Sequence, residues 1–274
     1  MIALQAQTLG RQLDVWRPQT GVVHSVFEHA VNLIIDGELW TVLAPERPDI
    51  PFGIRLAPGH RPDTLNVRPM DHVHVRAGYV GFGSLILDCR TAACWTPSRW
   101  RPPATGMEAR LASVERLARP RSWRESIGMA KDVANALRKS DVELAGAVRR
   151  TLGRGPGLTP SGDDVLAGIL TVLTSEVAGL AGERATSRIV CAIAPLLRST
   201  SDVSRYFLDQ AARGLPGRAL HELGKALLEG APVGELVDAL ELVLEIGSTS
   251  GADSCMGLIA AFRFSFFNLE SLTA

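Results

Sequence analysis

The segment Gly153-Arg154-Gly155-Pro156-Gly157-Leu158-Thr159-Pro160-Ser161-Gly162-Asp163-Asp164 runs straight into the apolar stretch Val165–Leu173. Three glycines within five residues permit positive φ and let a backbone approach a ligand closely. A helix that starts here offers free N–H groups and the positive end of its dipole, which suits a small anion. It is not a nucleotide P-loop, because no Gly-Lys-Ser/Thr follows at the required distance. Ser161 and Asp164 have the Ser-x-x-Asp spacing of a capping box, which satisfies helix-end donors without any ligand. For those two residues alone, capping is the preferred reading. It leaves the upstream glycines and the adjacent carboxylate of Asp163 unexplained.

A second segment, Ser248-Thr249-Ser250-Gly251-Ala252-Asp253-Ser254-Cys255-Met256-Gly257, repeats the pattern without gaps. The offset is 89 residues throughout: Ser161 to Ser250, Asp164 to Asp253, Gly168 to Gly257. Gly168 and Gly257 fall one turn into helices, where glycine costs about 1 kcal/mol relative to alanine. Such glycines are expected where two helices cross closely, and the two helix N-termini are expected to converge on one polar pocket. A third stretch, Ser199-Thr200-Ser201-Asp202-Val203-Ser204-Arg205, offers Thr200 or Ser201 as a cap. It also sets Arg205 near a first turn, where a cation is disfavoured unless an anion or carboxylate accompanies it.

These helix starts need a helical scaffold, and the sequence supplies one after a β-rich beginning. Strands are expected at Val22–Phe27, Asn32–Ile35, Leu39–Leu43, Phe52–Leu56, His72–Arg76 and Ser84–Cys89. Asp36-Gly37 is the hairpin turn between two of them. The Pro-rich run Trp95–Thr105 reads as a linker or crossing segment, and its flanking Trp95, Trp100 and Trp123 as packing residues. Helical periodicity then takes over at Gly106–Ala118, Arg124–Arg138, Val142–Leu152, Asp163–Ala178, Arg184–Leu197, Asp202–Arg213, Arg218–Leu228, Val233–Leu244 and Asp253–Phe264. Strands first and helices later imply an α+β protein, with a β-rich domain over 1–100 and a helical domain over 101–274.

Lys+Arg and Asp+Glu both total 29, so the chain carries no formal net charge, which argues against a general nucleic-acid binder. Four cysteines without a Cys-x-x-Cys pair fit a reduced, cytoplasmic protein. No run reaches the ~20 apolar residues of a membrane span, and Met1–Trp16 lacks the order of a secretory signal. His72 and His74 share one strand face but have no evident third metal ligand. His24, His29, His60 and His221 form no catalytic arrangement, and Cys255 reads as a core cysteine.

The runs GPGLTPSGDDVLAG (Gly155–Gly168), STSDVSRYFLDQAARG (Ser199–Gly214), GSTSGADSCMGL (Gly247–Leu258) and VHSVFEHAVNL (Val23–Leu33) together resemble one family. It includes the third subunit of bacterial oxamate carbamoyltransferase. The resemblance implies a subunit of a complex that moves a carbamoyl group between carbamoyl phosphate and oxamate in anaerobic allantoin breakdown, with other protein subunits as partners. In that family a histidine is expected where Ser248 stands here; if that histidine serves as a general acid or base, this chain lacks it and a different substrate is implied.

Both substrates are small anions, and the residues offer a way to hold them. Gly155, Gly157, Thr159, Ser161, Gly162, Ser204, Arg205, Ser248, Ser250 and Gly251 are the candidate substrate-binding set, with Arg154 as a further cation. Asp163, Asp164 and Asp253 are the candidate catalytic carboxylates. Asp163 and Asp164 would orient an amide N–H or hold a divalent cation, Mg²⁺, beside a phosphate. Alanine at Asp163 is then expected to abolish ligand or metal binding and leave the fold intact. Two other readings compete: a non-catalytic partner subunit that binds an anion, and a metal-dependent hydrolase of a small amide.

Overall fold

The computed structural model describes residues 2–62 and 65–267. The chain divides into two compact units, Met1–Thr96 and Pro97–Ala274, each with its own apolar core. The class is α+β, strands in the first unit and helices in the second.

The first unit holds β1 (Ile2–Gly10), β2 (Gln19–Phe27), β3 (Ala30–Ile35), β4 (Glu38–Leu43), β5 (Gly53–Leu56), β6 (His72–Arg76), β7 (Tyr79–Phe82), β8 (Leu85–Asp88) and β9 (Ala93–Trp95). Their order is β5-β4-β3-β2-β6-β7-β8-β1-β9, and β1 also pairs with β5, so the sheet closes into a barrel. Closure removes the unpaired edges that an open sheet would leave. The β3–β4 hairpin turns at Asp36-Gly37, both with positive φ (48° and 84°), as a two-residue turn of this type requires. Alternate side chains such as Val73, Val75, Val80, Phe82, Leu85 and Leu87 point inward and are buried. His72 and His74 lie on the outer face with stacked rings 6.5 Å apart.

The second unit holds α1 (Met107–Ala118), α2 (Ser126–Ala136), α3 (Asp141–Thr151), α4 (Ser161–Leu173), α5 (Gly179–Ile193), α6 (Asp202–Ala212), α7 (Arg218–Glu229), α8 (Val233–Leu244) and α9 (Ser250–Phe266). At its centre α4 crosses α9. Nearly all of α4 is buried, including Val165, Leu166, Ile169, Leu170, Val172 and Leu173, so it is an internal strut rather than a surface helix. Among the described residues no single helix is long and apolar enough to cross a membrane.

This unit repeats itself. Helices α1–α4 correspond to α6–α9, with α2 and α3 each followed 92 residues later by α7 and α8 (Ser126 to Arg218, Asp141 to Val233). The packing is exchanged between halves, since α1 lies on α9 and α6 lies on α4. The loops before α4 and α9 behave alike: Gly162 N–H donates to Arg154 C=O, and Gly251 N–H donates to Ile246 C=O. A Cβ on Gly162 would sit 1.8 Å from the Thr151 carbonyl oxygen, and one on Gly251 would sit 1.8 Å from that of Val243. The 89-residue echo in sequence is therefore one seam of a larger internal repeat.

Candidate functional site

The crossing is tight because two glycines face backbone. A Cβ on Gly168 would meet Ser254 O at 2.0 Å and Leu258 N at 2.9 Å, and one on Gly257 would meet Val165 O at 2.0 Å and Ile169 N at 3.1 Å. These contacts are reciprocal at the same 89-residue offset. With the helices pinned there, their N-terminal ends come together: Thr159 Oγ1 and Ser250 Oγ lie 2.8 Å apart. Thr159, Asp164 and Ser250 remain half-buried, whereas Ser161 and Asp253 are 1% and 0% exposed. The result is a polar cluster with a buried floor and an open rim.

The capping expectation for Ser161 is corrected. Pro160 occupies the N-cap and Ser161 is the first helical residue, so its hydroxyl is misplaced for capping and makes no cap hydrogen bond. Instead Ser161 Oγ, Asp164 Oδ2 and Asp253 Oδ2 are buried without a hydrogen-bond partner among the described residues. Buried polar atoms are nearly always paired, so three on the first turns of two crossing helices require an explanation.

The three aspartates differ in what holds them. Asp163, 2% exposed, accepts from the Gly153 backbone N–H at 2.7 Å and from the Thr200 hydroxyl, pinning the glycine loop to the start of α6. Burial raises its pKa above the ordinary aspartate range, and the Thr200, Gly153 and Ser204 hydrogen bonds oppose that rise. Asp253 Oδ1 accepts from the Trp123 backbone N–H at 2.7 Å and the Ser126 hydroxyl at 2.6 Å, both at the start of α2. Asp164 is held well above the usual carboxylate range, first by burial and then by the neighbouring Asp253 and Asp163, against the nearby hydroxyls of Ser250 and Thr159.

A raised folded pKa gives the following sign. The contribution to stability is complete below the unfolded value near 3.8 and is lost as pH rises through the folded pKa. Asp164→Asn, which cannot ionise, should therefore raise the thermal midpoint by more at pH 8 than at pH 5. Differential scanning fluorimetry reads this directly, and an equal or larger gain at pH 5 would contradict it.

The remaining expected site residues fall around this junction unevenly. Ser201 caps α6 by accepting from Ser204 N–H at 3.0 Å, and its hydroxyl also donates to Leu158 C=O. The Ser204 hydroxyl stands 3.5 Å from the same carbonyl, so the loop is tied to α6 at Leu158 as well as at Gly153. Arg205 pairs with Asp202 on its own helix, which gives that cation a partner without a ligand. Gly155 (φ 111°) curls over Ser161, whereas Gly157 (φ 91°) faces open space. Ser248 is exposed in the shorter second loop.

Among the described residues no group of three or more His, Cys, Asp or Glu side chains is placed to hold a metal ion. Both Asp163 oxygens already accept from protein donors, which leaves that carboxylate fewer free lone pairs for the Mg²⁺ expected at Asp163 and Asp164. Cys255 is fully buried and its thiol is pushed up to about 12 by burial, as an inert core cysteine should be. The sequence marks Trp123 only as a packing residue and gives no role to Ser126; neither local signal points to Asp253.

A groove of about 290 Å³ lies elsewhere, between α1, α2 and the far end of α9. Its floor is apolar, and Arg263 at its rim is occupied by Glu108 and Glu115 at 2.9 and 2.6 Å.

Two family models match the chain. Residues 3–94 match the AllH family N-terminal domain, and residues 151–262 match the oxamate carbamoyltransferase subunit AllH. No solved structure matches it.

Proposed function

This chain belongs to the family of the oxamate carbamoyltransferase subunit AllH, and from that premise we propose that it serves carbamoyl transfer between carbamoyl phosphate and a small carboxylate amide. In that reaction the substrate nitrogen bonds to the carbamoyl carbon, the bond from that carbon to the phosphate oxygen breaks, and the nitrogen gives up a proton. The cluster where α4 and α9 begin is the substrate site in this reading. The chain works with other protein subunits, in the cytoplasm.

One observation carries the assignment: Ser161 Oγ, Asp164 Oδ2 and Asp253 Oδ2, on the first turns of α4 and α9, are buried without a hydrogen-bond partner among the described residues. Neutral amide or carbamoyl groups bring N–H donors and a carbonyl acceptor, which match such atoms. A bare phosphate against three aspartates would be repelled, so the anionic end belongs at the rim, near exposed Arg154 and the glycine loop. Asp163 then acts by holding that loop rather than by touching substrate.

Ligand-induced stabilisation tests the reading. Oxamate or carbamoyl phosphate at a hundredfold excess over Kd should raise the midpoint by roughly 5–10 °C, with oxalate and inorganic phosphate as weaker controls. The absence of a shift with either compound, alone or together, would sink the assignment.

A further inference from the structure

The internal repeat sets Asp164 and Asp253 at equivalent places, 89 residues apart, yet their surroundings are not equivalent. Two donors from the start of α2 converge on Asp253 Oδ1, the Trp123 amide at 2.7 Å and the Ser126 hydroxyl at 2.6 Å. Ser126 and Asp253 are both 0% exposed, so the hydroxyl bond is shielded from bulk water, while the Trp123 amide bond is part-buried. With Oδ1 doubly occupied, the carboxylate is locked in one orientation, and only Oδ2 remains to accept a hydrogen bond. Among the described residues Asp164 has no backbone donor of this kind. The charged groups acting on it are Asp163 on its own helix and Asp253 on α9, both acidic. Farther along α9, Arg263 is closed off by Glu108 and Glu115 of α1 and does not serve either aspartate.

We propose that Ser126 and the Trp123 amide are positioning groups that fix Asp253 as a hydrogen-bond acceptor, so that the two equivalent aspartates do opposite jobs. Asp164 bears a proton and donates to the ligand's carbonyl oxygen; Asp253 Oδ2 accepts from the ligand's N–H. This division rests on the assignment of the junction as the substrate site. Trp123 and Ser126 lie outside both stretches matched by the family models, 3–94 and 151–262. The raised pKa of Asp164 agrees with a proton-bearing role.

Isosteric substitutions separate the two roles because asparagine carries both a donor and an acceptor. In Asp253→Asn the side-chain carbonyl must face the Trp123 and Ser126 donors, which turns the NH₂ towards the ligand's N–H. Oxamate binding, measured by calorimetry, should weaken about tenfold or more. In Asp164→Asn the NH₂ replaces the carboxyl proton as donor, so binding persists but loses the decline that the parent shows as pH rises from 5 to 9. Ser126→Ala, which removes one of the two donors that orient Asp253, should weaken oxamate binding severalfold, and Ser126→Thr, which keeps the hydroxyl, should restore it.

Equal losses in Asp253→Asn and Asp164→Asn, or a binding loss in Ser126→Ala that Ser126→Thr fails to restore, would overturn the division. A parent protein that ignores oxamate would instead refute the site assignment. Carboxyl-¹³C NMR on aspartate-labelled protein tests the protonation half without ligand. A resonance that titrates above the ordinary aspartate range should vanish in Asp164→Asn and survive in Asp253→Asn. Its loss in Asp253→Asn alone would reverse the roles.

Discussion

Gly168→Ala lowers the stability of the helical unit by about 3 kcal/mol, an expected result that carries the opposite sign from helix propensity. In an uncrowded helix the same change would stabilise by about 1 kcal/mol. Here the new methyl would lie 2.0 Å from Ser254 O and 2.9 Å from Leu258 N, and backbone cannot move aside as a flexible side chain can. Relief requires α4 and α9 to separate along their length, which loosens the packing of Val165, Ile169, Leu258 and Phe262. Urea melts should show a lower midpoint with an unchanged slope. Gly257→Ala meets Val165 O at 2.0 Å and should behave alike. The double variant should cost less than the sum, because one separation relieves both clashes. A stabilised Gly168→Ala would show that the helices do not cross here.

Asp163→Ala has the second large effect, about 2–3 kcal/mol of lost stability. The side chain is 2% exposed and its two oxygens receive the Gly153 N–H and the Thr200 hydroxyl. Truncation strands both donors and frees the glycine loop from α6, so the expectation of an intact fold after this substitution gives way. Because burial raises the folded pKa of Asp163, its contribution is largest at low pH and fades as pH rises through that value. The penalty for alanine should accordingly be greater at pH 5 than at pH 8. Hydrogen exchange at Gly153 should accelerate, and Asp163→Asn should recover part of the loss by keeping one acceptor. Unchanged exchange at Gly153 would show that Asp163 does not hold the loop.

The helical unit was the more legible half in sequence, for a physical reason. Val233–Leu244 was read to the residue, because a Pro-Val start and an apolar stripe are local signals. The start of α5 was read late, at Arg184 instead of Gly179, because glycines at 179 and 182 look like breakers. Gly182 is there because a Cβ would meet Leu173 O at 2.3 Å, a fact of packing rather than of local preference. In the barrel, β1, β7 and β9 were missed. The polar alternation of Ile2–Gly10 resembles an exposed segment, and its partners β5 and β8 lie some fifty to eighty residues away.

The site was legible as a repeat but not as a set of bonds. Constant spacing and the helical glycines pointed to a close crossing with converging ends. Nothing local announces that Asp253 reaches Trp123 and Ser126, 130 and 127 residues distant. Ser161 shows the converse error: its Ser-x-x-Asp pattern is a cap by sequence, but Pro160 takes the cap position and leaves the hydroxyl inside.

The crossing of α4 and α9 also sets a schedule for synthesis on the ribosome. The glycine of α4 meets its counterpart only after another 89 residues have been made. At roughly 5–20 residues per second that interval lasts about 4–18 seconds. Throughout it, the stripe of Val165, Leu166, Ile169, Leu170, Val172 and Leu173, fully covered in the finished unit, has α2, α5 and α6 to pack on but lacks α9, the helix it crosses. A nascent chain halted before α9 emerges therefore leaves the α9-facing side of this apolar helix open to its surroundings. Chaperone engagement should peak in that window and end as α9 clears the exit tunnel.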